Sequence, residues 1–110
     1  MIEVKDGVVF KRLSSEIMSA LRLIEPIFTS AGVNCVITSA NDSKHMGGSL
    51  HYKDRALDLR SKHLPPGSKL TVRDSLAHAL GSDYQGLLEN EGGVNEHFHV
   101  EYDPPKGKTL

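Results

Sequence analysis

The chain has 110 residues, 38% hydrophobic and 25% charged, and a formal net charge of -1. That length and balance describe one compact domain, too short for two cores and too apolar for a disordered tail. With no long block of Lys and Arg it does not read as a nucleic-acid binder, and no stretch is apolar and long enough to cross a bilayer.

Taken in order, residues 1–10 set Ile2, Val4, Val8, Val9 and Phe10 around Asp6-Gly7, the pattern of a short hairpin. Ser14-Ser15-Glu16 reads as a capped helix start, followed by a stripe at Ile17, Leu21, Ile24 and Phe28 that ends near Gly32. Pro26 lies inside that stripe and should kink or shorten the helix. Residues 33–38 are rich in β-branched side chains and form a buried strand, with Cys35 as an inert interior thiol. A polar loop over 39–48 precedes two extended pieces, 49–52 and 56–60, and a second loop surrounds Pro65-Pro66-Gly67. Val72, Leu76 and Leu80 mark a second helix, closed by Gly81. Residues 84–89 read as a strand, Asn90-Glu91-Gly92-Gly93 as a turn, and 97–102 as the last strand, stopped by Asp103-Pro104. The expected fold is α+β: one domain over 1–110, a mainly antiparallel sheet, helices on one face and a polar site on the other. A lone cysteine and a start without a long apolar run suggest a chain made in the cytoplasm without its own export signal.

Strand periodicity locates the chemistry. In 97–102, Phe98, Val100 and Tyr102 share one face, while His97, His99 and Glu101 share the other. In 56–60, Leu57 and Leu59 oppose Asp58; in 49–52, Leu50 and Tyr52 oppose His51. A sheet covered on its apolar face would gather His51, Asp58 and His99 on its other face. Two imidazoles and a carboxylate suit zinc with a fourth position left for water, the arrangement used to hydrolyse amides.

The run Ser49-Leu50-His51-Tyr52-Lys53-Asp54-Arg55-Ala56-Leu57-Asp58 resembles the SxHxxGxAxD signature of the zinc D-Ala-D-Ala carboxypeptidases. Glu96-His97-Phe98-His99 resembles their closing ExxH and contains the HxH of the wider group that includes lysostaphin-type enzymes and the Hedgehog domain. Phage endopeptidases that cut the L-Ala-D-Glu bond of peptidoglycan belong to the same family. The similarity spans residues 14–102 in element order. It implies a Hedgehog/DD-peptidase-like fold, Zn2+ on His51, Asp58 and His99, Glu96 as catalytic base, and the peptidoglycan stem peptide as substrate.

Two departures stand out. Asp54 replaces the family's glycine, and Thr38-Ser39-Ala40-Asn41-Asp42 replaces a segment whose arginine binds substrate, with Asp42 at that arginine's place. A carboxylate there repels a terminal carboxylate, so an endopeptidase is expected rather than a carboxypeptidase, unless Lys44, Arg55 or Arg60 compensates. His97 is expected to assist catalysis without binding metal. Ser49, His45 and Asp42 are the candidate substrate contacts, each also readable as an ordinary loop residue. His63 and His78 read as surface residues. The alternative function is a non-catalytic domain that keeps zinc for stability or partner recognition, a role that needs no base at Glu96. The expected protein is a monomer without nucleic-acid or membrane partners, reaching the cell wall by release or delivery, as a phage protein does.

Overall fold

The computed structural model describes residues 1–8, 13–40 and 55–104. They form five strands and two helices: β1 (Ile2–Val4), α1 (Ser15–Ser30), β2 (Cys35–Ser39), β3 (Ala56–Arg60), α2 (Lys69–Leu80), β4 (Tyr84–Glu89) and β5 (His97–Tyr102). The strands make one mixed sheet in the order β1-β2-β3-β5-β4. β1 runs parallel to β2, whereas the β2–β3, β3–β5 and β5–β4 pairings are antiparallel.

α1 begins where its cap residue predicts. Ser14 has extended backbone, and its hydroxyl accepts from the Ile17 N–H at 3.2 Å, satisfying one of the orphan donors of the first turn. The stripe Ile17, Leu21, Ile24 and Phe28 is buried along its length. Pro26 does not shorten the helix, which runs on to Ser30. Pro26 is exposed, so the Arg22 carbonyl that loses its helical donor lies toward solvent, where water can replace the bond. α2 buries Val72, Leu76 and Leu80 and stops at Gly81, whose φ of +82° only glycine adopts freely.

Both helices feed a single core. Their apolar stripes join Leu57 and Leu59 of β3 with Phe98 and Val100 of β5, and Phe28 meets Phe98 edge to face at 5.9 Å. Helices therefore cover one face of the sheet. Cys35 is fully buried in the same core, and burial pushes its thiol up to about 12, which makes it inert.

Two expectations change. Residues 2–4 do not pair in a hairpin: they align with Cys35–Ile37 of β2, and the Lys5 N–H extends the ladder to the Ile37 carbonyl. Asp6-Gly7 still turns the chain, with Gly7 at φ +87°, but the returning residues 9–12 lie outside the described residues. His63 is half-buried rather than on the surface, because its ring packs against Phe28 and Nε2–H donates to the Asn34 carbonyl at 2.7 Å. His78 is exposed as expected. No helix among the described residues is long and apolar enough to cross a membrane.

Candidate metal centre and the groove beside it

Sheet register builds the site. Asp58 of β3 lies opposite His99 of β5, and Arg60 lies opposite His97. On the far side of β5, Leu87 faces His99 and Glu89 faces His97, while Ser39 of β2 aligns with Asp58. Because side chains alternate along a strand, the β3, β4 and β5 members point away from the helices, and a register shift between Ile37 and Ser39 brings Ser39 into the same row.

The described members make tight contacts. His99 Nδ1 is 2.8 Å from Asp58 Oδ1, and His99 Nε2 is 2.8 Å from Glu101 Oε1. Both ring nitrogens therefore meet carboxylates, an arrangement that suits the doubly protonated ring. Burial alone would lower the His99 pKa; hydrogen bonding and charge from Asp58, helped by Glu101 and Glu89, outweigh it and raise it to about 8. Metal would have to displace a proton from this imidazole, so binding there competes with hydrogen ion. Asp58 and His99 supply a carboxylate and an imidazole at one point of the sheet, a donor pair that suits zinc. The third expected ligand, His51, lies outside the described residues, as do Ser49, His45, Asp42, Asp54 and Lys44. Among the described residues no three side chains of His, Cys, Asp or Glu are arranged to hold a metal ion.

His97 sits one row further along. Its Nδ1–H donates to the Asn95 carbonyl at 2.6 Å, and Nε2 lies 3.0 Å from Glu89 Oε1 and 3.8 Å from Asp58 Oδ1. The Asn95 carbonyl accepts from Nδ1 and the Glu89 carboxylate meets Nε2, so this ring too lies between two acceptors.

Glu96 has other company. Oε1 accepts from the Ser61 hydroxyl at 2.6 Å and from Lys69 Nζ at 2.8 Å, and Oε2 accepts from the Gly92 N–H at 2.9 Å. The residue is only 6% exposed. The Gly92 bond, then Lys69 and Ser61, hold its carboxyl down at about 2. A carboxylate satisfied by three donors is a weak proton acceptor. It joins the residue after β3, the start of α2 and the β4–β5 turn.

A groove of about 410 Å³ opens beside Asp58 and His97, with Thr38, Ser39, Arg60 and Lys62 among its walls. Arg55 does not enter it. Its guanidinium stacks over the Tyr102 ring at 5.0 Å.

Several of these partners escape a sequence reading. Glu101 carries a signal, since it alternates with His99. Glu89 becomes visible only once the β4–β5 register is known. Ser61 and Lys69 carry no motif at all. Comparisons with protein-family models, curated proteins and solved structures return no match for this chain.

Proposed function

We propose that this protein is a zinc-dependent peptidase that hydrolyses an internal bond of the peptidoglycan stem peptide. The observation that carries the reading is the cross-strand pair Asp58–His99, 2.8 Å apart on the face of the sheet opposite the helices and beside a groove. The order of the SxHxxGxAxD-like and ExxH-like segments along the chain adds to it. His51, Asp58 and His99 would hold the ion. Bound zinc supplies carbonyl polarisation and an acidified water.

The chain's own groups have distinct tasks in this reading. Glu101 orients His99 from the far side of its ring, as carboxylates commonly do for histidine ligands. His97 is better situated than Glu96 to exchange a proton at the site, because its Nε2 lies 3.8 Å from Asp58 while Asn95 holds its other ring nitrogen. Glu89, 3.0 Å away, stabilises the imidazolium that results. Glu96 holds the turn that presents His97.

Metal analysis with peptidoglycan digestion tests the proposal. About one zinc per chain is expected, with stem-peptide fragments in the digest identified by mass spectrometry. Asp58→Ala should lose most of the metal and all turnover. A variant that keeps a full equivalent of zinc would remove Asp58 from the ligand set. Intact peptidoglycan after treatment with zinc-loaded protein would overturn the enzymatic reading in favour of a binding domain.

A further inference from the structure

The outer edge of β4 lacks the devices that usually blunt the edge of a sheet. β4 reads Tyr84-Gln85-Gly86-Leu87-Leu88-Glu89, without lysine or proline, and it pairs with β5 residue for residue with no bulge. The Asp103 N–H donates to the Asp83 carbonyl at 2.8 Å, which makes Asp83–Asp103 a hydrogen-bonded pair of this antiparallel ladder. Such pairs recur at every second residue, so Gln85, Leu87 and Glu89 direct their backbone groups to β5. The N–H and C=O groups of Gly86 and Leu88 therefore point outward, and among the described residues nothing pairs with them. On the face opposite the helices, Leu87 is 44% exposed between the exposed side chains of Gln85 and Glu89.

We propose that this edge pairs with the same edge of a second copy of the chain, antiparallel and about a two-fold axis at Leu87. Outward-facing residues must meet outward-facing residues, so the axis passes through a residue and not between two. With the axis at Leu87, Gly86 and Leu88 of each copy exchange backbone bonds with Leu88 and Gly86 of the other. Leu87 then meets its own counterpart in a close, non-hydrogen-bonded pair, and the Gln85 amide faces the Glu89 carboxylate. An axis at Gly86 would set Glu89 against Asp83, two like charges. An axis at Leu88 would set Leu87 against Glu89 and cover neither leucine. Charge and apolar contact thus select one register, and both matches are self-complementary, which favours a second copy over an unrelated strand. The pairing joins two five-stranded sheets, with both α2 helices on one face and both candidate metal centres on the other. Leu87 lies opposite His99 in the β4–β5 ladder, so the two His99 residues stand in one row, three strand spacings or about 14 Å apart. A two-fold contact closes on itself, and β1 at the other end of the described sheet is short and carries Glu3, so assembly stops at a dimer. The protein is then not the monomer expected from its sequence.

Sedimentation velocity of the full chain over a range of concentrations tests this. A dimer that dissociates in roughly the micromolar range is expected, because one short strand buries less than a standard interface. Leu87→Lys places like charges at the axis and should weaken association on the order of tenfold or more, as should Leu87→Glu. An equimolar mixture of those two variants should dimerise again, which also shows that both are folded. Under mild oxidation Leu87→Cys should form an interchain disulfide, whereas Gln85→Cys, which faces Glu89, should not. Cys35 is buried and takes no part. In the wild type, the amides of Gly86 and Leu88 should exchange slowly in concentrated solution and quickly after dilution. A wild type that is monomeric at about 500 μM, or open-ended polymers in place of a dimer, would overturn the proposal. So would a dimer as tight in Leu87→Lys as in the wild type, or a disulfide through Gln85→Cys in place of Leu87→Cys. Slow exchange at Gly86 and Leu88 in a monomer would mean that the chain covers this edge itself, and would overturn it as well.

Discussion

At the scale of single residues, the proposed function exchanges the tasks that motif spacing suggests for Glu96 and His97. Glu96→Gln should keep zinc and retain turnover within about tenfold, whereas His97→Ala should keep zinc and lose on the order of 100-fold or more. Steady-state rates on a stem-peptide fragment distinguish the two; a folded, zinc-loaded Glu96→Gln protein without activity would return the base to Glu96. The cost of Glu96→Gln belongs to stability, about 2 kcal/mol at neutral pH, because Lys69 loses its charged partner in a buried setting. The pH sign follows from the depressed carboxyl, held at about 2 against an ordinary 4.5. Its stabilisation is complete above the unfolded-state value near 4.5 and drains away as pH falls toward 2. Denaturant midpoints taken between neutral pH and pH 3 should therefore fall more steeply for the wild type than for Glu96→Gln.

At the scale of elements, sequence and structure agree wherever one rule decides. Ser14, the stripe from Ile17 to Phe28, Gly81 and the alternation in 97–102 each state a local preference that nothing in the tertiary structure opposes. Ser14→Ala should cost about 1 kcal/mol, read as a shifted denaturant midpoint with an unchanged slope. An unchanged midpoint would mean that the cap adds nothing. β1 went the other way. Asp6-Gly7 signalled a local hairpin, yet parallel pairing with β2 requires α1 as the crossover, and no window of ten residues contains that information. The site divides along the same line. Alternation placed Asp58 and His99 on the right face, but which strands are neighbours is a matter of topology, so the Glu89–His97 contact and the Ser61–Glu96–Lys69 cluster were hidden.

At the scale of the whole molecule, the sheet separates cohesion from chemistry. The helix-covered face holds the core, and the opposite face holds the charged side chains. β3 and β5 are central and flanked on both sides, whereas β1 is a three-residue strand at the edge among the described residues, with every residue exposed. Amide hydrogen exchange should be slowest in β3 and β5 and fastest in β1, the order expected when opening energies track burial. Equal protection across the sheet would contradict it. The alternation in β5 also has a developmental cost for the lineage that carries it. The segment between β4 and β5 can drift in composition, but losing or gaining one residue there would turn His97 and His99 toward the core and bring Phe98 and Val100 to the surface. Inheritance can thus vary the letters of that turn far more freely than their number, and the bond from the Gly92 N–H to Glu96 measures that number in every copy.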